Sequence, residues 1–397
     1  MRHALARTVD LLDDVVARDA GRPVRPWMWG PALLGHALAE VEAAAGDRGY
    51  GAWLARFADH HLARGVRPVS ADTIAPALVT AELARRTGEA RYAEATDRAL
   101  AFALAEEVVG GPDGGGAANH LGSSGYARYY PRSVWVDSLM MVGVLAAREG
   151  AARSDARLTS MAAAMPGAFA DLLQDPATGL WSHAWWAPGT FGGARGRRYP
   201  RVPWARGNAW VVAALPLIAE PLLVERPLAG EPPLAGERPL AHHGAGAPSK
   251  GADGAVSRVG GPATDVGLCR LREVLASTSA ALIARMRPDG TWPTLLAAPG
   301  GYRELSATAL VAGGWLRAVR LGLLGPQYLR PARRALAAVV GAVDRTRGRW
   351  SLPEISGPTI PLPVLPRAGY LAVRPGRDHP WGLAALALAA LEDERLG

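Results

Sequence analysis

The chain has 397 residues, 49% hydrophobic and 20% charged, which supplies a large core and excludes a small disulfide-stapled module. A single cysteine, Cys269, excludes an internal disulfide, a multi-thiolate zinc site and an iron–sulfur cluster, and fits a reducing compartment. The net charge of +8 comes from arginines scattered through alanine-rich stretches with no basic block alternating with aromatics, which argues against nucleic acid and leaves attraction of an anionic small molecule open.

In the first twenty residues Asp10, Asp13 and Asp14 interrupt what a secretory leader would keep apolar, so cytoplasmic residence is expected. No apolar run approaches the ~20 residues of a bilayer span, because Arg, Asp, Glu or Pro breaks each one. Apolar residues recur at steps of three and four, which predicts helices near 3–18, 30–45, 50–63, 72–86, 90–107, 134–149, 158–174, 205–219, 265–286, 306–322, 328–343 and 380–393. Strand-like alternation is scarce, so the fold class is all-α. Turn signals separate the segments, among them Gly46-Asp47-Arg48-Gly49 and Gly325-Pro326-Gln327.

Helices joined by short hairpins cannot each bury a stripe alone, so they stack as a solenoid or close as a ring, and an even dozen favours closure. Inner helices and the loops at one mouth would then line a cavity. The stretch 87–95 is similar to one tetratricopeptide hairpin, which keeps an open interaction scaffold as an alternative; no fixed-period motif recurs. Within this single domain of 1–397, residues 225–261 read as a low-complexity, mobile insertion: proline-rich near-repeats followed by a Gly/Ala/Ser tract carrying His242 and His243.

The 13 tryptophans outnumber the 4 phenylalanines, and many sit at loop–helix junctions, including Trp27, Trp29, Trp135, Trp181, Trp185, Trp186, Trp204, Trp210, Trp292 and Trp381. An indole offers a flat apolar face and an N–H donor, which suits stacking on sugar rings, although each one singly also reads as core. Asp137, between Trp135 and Met140, is either an N-terminal helix acid favoured by the macrodipole or a cavity acid whose proton affinity burial raises. Ser70 and Asp72 read equally as a helix cap or as site residues. Arg206 lies between Trp204 and Trp210, with Gly207 allowing close approach, an arrangement that suits a carboxylate lying against a sugar or plain Arg–Trp packing. His183 sits among tryptophans, where core and catalytic readings both remain. No metal-ligand cluster and no nucleotide-binding glycine loop occurs, so no cofactor is expected.

Taken in order, Trp27-Met28-Trp29-Gly30, the 70–76 and 87–92 segments, Trp135-Val136-Asp137-Ser138, 175–183, Trp204-Ala205-Arg206-Gly207-Asn208-Ala209-Trp210, 287–292, 302–310 and 381–392 resemble the unsaturated rhamnogalacturonyl hydrolases of glycoside hydrolase family 105 and the related unsaturated glucuronyl hydrolases. The resemblance implies a six-hairpin (α/α)6 toroid and an enzyme of pectin-type degradation. Such an enzyme takes a 4,5-unsaturated uronic acid from the non-reducing end of lyase-generated oligosaccharides. It implies Asp137 as catalytic acid, with His183 and Asp72 beside it, and Trp204, Arg206, Trp210, Trp135 and Trp29 as substrate contacts. His120, the only histidine shortly before Asp137, falls where the family has a further histidine. The 225–261 insertion departs from the family pattern.

Protonating C4 of the unsaturated uronate creates an oxocarbenium-like centre at C5 to which water adds, so one carboxyl suffices where an ordinary glycosidase needs two. Asp137 would then need a raised pKa, Arg206 would hold the uronate carboxylate or a ring hydroxyl, and His183 or Asp72 would orient water. An ordinary toroidal glycosidase or a sugar epimerase remains the rival enzyme. The sequence leaves galacturonate or glucuronate preference, the adjoining sugar and the oligomeric state open.

Overall fold

In a computed structural model of the chain, the described residues are 2–110, 116–189, 192–223, 262–297, 301–346 and 348–397; the low-complexity stretch 225–261 lies outside them. The long helices are α1 (Arg2–Ala20), α2 (Trp29–Ala45), α3 (Tyr50–Leu62), α4 (Ala77–Thr87), α5 (Ala90–Ala105), α6 (Val144–Arg153), α7 (Ala156–Leu173), α8 (Ala205–Leu223), α9 (Pro262–Ile283), α10 (Leu305–Arg320), α11 (Leu329–Ala342) and α12 (Pro380–Arg395). Helix α2 packs on α4, α4 on α6, α6 on α8, α8 on α10, α10 on α12, and α12 back on α2. Six helices therefore close a ring. The other six stand outside it, α1 against α12, α3 against α2 and α4, α5 against α4, α7 against α6, α9 against α8, and α11 against α10. This is the (α/α)6 toroid.

Composition follows position. Every residue of α8 from Ala205 to Ala219 is buried, because an inner helix is covered on all sides, whereas α11 buries only Ala332, Ala335, Leu336 and Val339 on one stripe. Close approach inside the ring needs small residues: a Cβ at Gly314 of α10 would collide with the Val212 carbonyl of α8. The α4–α5 hairpin turns on Gly88, whose φ of 71° is the left-handed conformation that glycine adopts without strain. No helix among the described residues is long and apolar enough to cross a membrane.

The sequence period misplaces one helix start. Residues 134–149 read as one helix, but Ser133–Trp135 is a strand paired with Ala184–Trp186, which in turn pairs with Arg197–Tyr199. β-branched and aromatic residues at 134–136 favour that extended form once two partner strands are supplied by distant sequence. Helical structure begins only at Leu139, with the wide π-turn Leu139–Gly143 leading into α6.

Hairpin alternation makes the inner helices parallel. Their N-terminal ends, at Trp29, Ala77, Leu139, Ala205, Leu305 and Pro380, gather at one mouth of the ring and their C-terminal ends at the other. The positive ends of six helix dipoles thus face one opening.

Candidate active site

The strand start of the Asp137 segment fixes what the aspartate meets. The Val136 amide donates to the His183 carbonyl at 2.9 Å, which sets the two side chains adjacent. Asp137 Oδ2 lies 3.1 Å from His183 Nε2, with the His183 side chain fully buried and that of Asp137 11% exposed. The Asp137 carboxylate caps no helix; the capping alternative belongs to Ser70, which forms a capping box with Thr73 at the short turn Ala71–Ile74. That frees Asp72, which approaches His120 Nε2 at 3.5 Å.

Each histidine is held by its other nitrogen and by a ring. His120 Nδ1 meets the Ser138 hydroxyl at 2.8 Å, and its ring stacks on Trp135 at 4.4 Å. His183 Nδ1 meets the Tyr370 hydroxyl at 2.8 Å, and its ring stacks on Trp204 at 4.5 Å. Burial, with the Asp137 charge adding, holds the Tyr370 phenol well above its ordinary pKa, so the hydroxyl keeps its proton. Donation from that hydroxyl to Nδ1 leaves the imidazole hydrogen on Nε2, toward Asp137.

Burial pushes the Asp137 carboxyl up, but the charge and contact of His183, then His120 and Arg206, outweigh it and hold the group below the ordinary carboxylate range. Burial lowers His183 below the ordinary imidazole value, against the pull of Asp137. These directions favour an ionised Asp137 beside a neutral His183, against the expectation of a carboxyl kept protonated by apolar neighbours.

Arg206 also departs from its expected role. It is buried, and its Nη1 donates to the Ser356 carbonyl at 3.0 Å while Nη2 donates to the Gly357 carbonyl at 2.9 Å and to Thr359 Oγ1 at 3.0 Å. Glu304 holds the same residue by its preceding peptide, its Oε1 accepting the Ser356 N–H at 2.9 Å. Both terminal nitrogens thus donate to the 355–359 strap, and Nε lacks a hydrogen-bond partner among the described residues. The guanidinium also covers Trp204 at 4.5 Å and Trp381 at 5.5 Å.

Trp204 and Trp210 are buried as well, so they support the site and do not present a face to a sugar. Trp204 is sandwiched between His183 and Arg206, and Trp210 meets the half-buried Trp29 edge-on at 5.9 Å. The structure thus brings together Asp137, His183, Asp72, His120 and Trp135 at the mouth, with Trp204, Arg206, Trp210 and Trp29 packed beneath or beside them.

Sequence reasoning missed Tyr370 and Glu304 as parts of this site, and placed Trp381 only among the junction tryptophans. Glu304 and Trp381 stand directly before or at the start of inner helices α10 and α12, the same positional signal that marked Trp29 and Arg206. Tyr370 had no such signal: it lies on a short helix, Pro366–Ala372, after a proline-rich stretch.

A family model described as Glycosyl Hydrolase Family 88 matches residues 5–227 and 262–396. The chain is 26% identical over 370 residues to the unsaturated rhamnogalacturonyl hydrolase YesR of Bacillus subtilis (strain 168), across 92% of this chain and 89% of that one. Among solved structures, it is similar to a possible member of the GH105 family from Klebsiella pneumoniae subsp. pneumoniae MGH 78578, with a TM-score of 0.76 and 22% identity over 100% of this chain and 94% of that one. It is also similar to an unsaturated glucuronyl hydrolase from Bacillus sp. GL1, with a TM-score of 0.69 and 15% identity over 99% and 97% of the two chains. At these identities the structural likeness shows the fold.

Proposed function

Because the chain belongs to Glycosyl Hydrolase Family 88, we propose that it removes a 4,5-unsaturated uronic acid from the non-reducing end of lyase-generated oligosaccharides by hydrating the double bond. The observation that carries this reading is the buried Asp137, held off any helix cap, 3.1 Å from a His183 that Tyr370 fixes in one tautomer. Similarity to YesR, named for unsaturated rhamnogalacturonyl chemistry, supports the same substrate class.

Asp137 gives its proton to C4, positive charge develops at C5, and water adds there. The same carboxylate takes the proton back from that water, leaving a hemiketal that opens, expels the aglycone and yields a 4-deoxy-5-keto uronate. Proton count closes on one residue. Since Asp137 is held below the ordinary carboxylate range, the substrate must help load its proton. An arriving uronate brings a like charge and excludes water, and both raise the carboxyl pKa. His183, with its hydrogen on Nε2, stabilises the carboxylate in the half of the cycle when it is ionised, and Asp72 with His120 orients the incoming water.

The single Cys269 fits placement of the enzyme in the cytoplasm. The test is direct: with an unsaturated uronyl disaccharide, the ultraviolet absorbance of the double bond should vanish as the aglycone appears. Aglycone release with the absorbance retained would assign an ordinary glycosidase instead, and no release at all would overturn the enzyme reading.

A further inference from the structure

Three stretches among the loops that rim the N-terminal mouth, 121–136, 176–203 and 357–377, contain no Asp or Glu; besides Arg132 and Arg377, which pair with Glu107 and Asp344, they carry Arg128, Arg195, Arg197, Arg201, Arg367 and Arg374, none with an acid partner among the described residues. Such one-signed composition is a field, and only a segment of the chain's surface that meets anions gains from it. One of these arginines stands on a built platform.

A small aromatic cluster, separate from the main core, lies on one face of the three-stranded sheet. Trp135 and Trp186 are buried in it, and the half-buried Tyr130 and Tyr199 pack on its edge. Its inner end is the active site, where Trp135 stacks on His120. Its outer end is Arg197, exposed, with its guanidinium 5.3 Å from the Tyr199 ring and 5.8 Å from Trp186, and Tyr199 stacked on Trp186 at 4.2 Å. Tyr199 is itself pinned, its hydroxyl donating to the Pro363 carbonyl at 2.8 Å. Register places Arg197 opposite Trp186, three residues along the strand from His183, or roughly 10 Å at about 3.3 Å per residue.

We propose that Tyr130, Tyr199 and Arg197 form a subsite for the part of the substrate beyond the scissile bond, and that Arg197 selects a chain carrying a further anionic group, carboxylate or sulfate, there. The inference rests on the unsaturated-uronide reading of the adjacent site. Tyrosine edges receive the sugar face, and the guanidinium, oriented by two rings and with no carboxylate partner among the described residues, keeps its donors for the ligand.

The experiment compares kcat/KM, by loss of double-bond absorbance, for three unsaturated oligosaccharides: one with a neutral following unit, one with a sulfated unit and one with a further uronate. Wild type should favour at least one charged substrate by about tenfold, the favoured one naming the group; R197Q should cancel that preference. R345Q, which removes an equal charge from the outer hairpin 344–351, should leave the preference in place. Equal kcat/KM for all three substrates, or a preference that R197Q leaves intact, overturns the subsite while leaving the hydrolase reading standing. Loss of absorbance from none of them overturns that reading itself.

Discussion

The two mouths of the ring hold the same residue type in opposite states. At the C-terminal mouth the arginines are paired: Arg148 with Glu40 at 3.0 Å, Arg317 with Glu220 at 2.6 Å and Glu392 at 2.8 Å, Arg320 with Glu392 at 2.7 Å, around a cavity of about 440 Å³. At the N-terminal mouth Arg132 and Arg377 pair with Glu107 and Asp344, but Arg128, Arg195, Arg197, Arg201, Arg367 and Arg374 have no carboxylate among the described residues, and the one buried arginine, Arg206, is spent on backbone carbonyls and Thr359. The helix dipoles explain the division. Negative helix ends converge at the C-terminal mouth, so arginine there neutralises both dipole and glutamate and closes the ring as structure. Positive ends converge at the other mouth, where most exposed arginines carry no carboxylate of their own among the described residues and the acids Asp137 and Asp72 face histidines.

If the N-terminal mouth is the reactive one, Asp137→Asn should have the largest effect of any single change there. It keeps the shape and removes the proton, so kcat should fall about 10³-fold with the fold intact by circular dichroism. Turnover like wild type would move the chemistry elsewhere. In the wild type, kcat/KM should rise as pH falls, because the reactive form has Asp137 protonated and free Asp137 is held below the ordinary carboxylate range.

Arg206→Met comes next, and it should act as a stability change, in contrast to a substrate contact. It frees the Ser356, Gly357 and Thr359 acceptors and leaves Glu304, 3.9 Å away and fully buried, without its cation. A loss of about 3–5 kcal/mol in denaturant unfolding is expected. Arg206→Lys should recover only part of it, since an ammonium cannot span both carbonyls in the plane of a guanidinium. A raised KM with unchanged stability would instead restore the substrate-contact role.

Tyr370→Phe separates positioning from packing at the same mouth. The ring remains against Trp204, but His183 Nδ1 loses its partner and with it the fixed tautomer. We expect kcat to fall about tenfold with KM nearly constant and the pH profile displaced. An equal change in melting temperature and no change in the pH profile would mark Tyr370 as packing alone.

How far the sequence reveals these two mouths depends on range. The ring was legible because periodicity is local and the alternation of fully buried with one-sided helices follows from it. Residue pattern left Asp137, Asp72 and His183 open between site and structural readings, and the family resemblance named them, with His120, as site residues; the structure adds which nitrogen lies near which oxygen. What local pattern could not show is the strand at 133–135, whose partners lie some fifty residues on, nor Arg206's spending of its donors on a strap about 150 residues away. Burial of Trp204 and Trp210 belongs to the same class: a tryptophan beside a sugar and one under a histidine look alike until the third layer is known. Tyr370 is the extreme case, a buried hydroxyl whose partner is 187 residues distant.

The smallest effect sharpens the contrast in pH. His36 of α2 is buried at the C-terminal mouth, and burial, then Arg148, hold it down to about 3, with its Nε2 lacking a hydrogen-bond partner among the described residues. An unfolded chain takes up this proton near pH 6.5, whereas the folded one refuses it until about 3. Stability carried by a neutral His36 is therefore whole above 6.5 and declines at up to about 1.4 kcal/mol per pH unit as pH falls. Burial pushes Glu40 up, but Arg148 and Arg317, together with the coupled His36, bring it down to about 2, which adds a second loss, but only below pH 4.5. His36→Gln removes the first proton, so its melting temperature should fall less steeply than wild type between pH 7 and 5. Parallel curves for the two proteins would mean that His36 titrates alike folded and unfolded. With the predicted outcome, acid that loads Asp137 at one mouth loosens the other, and the working pH range is set by the opposition between them.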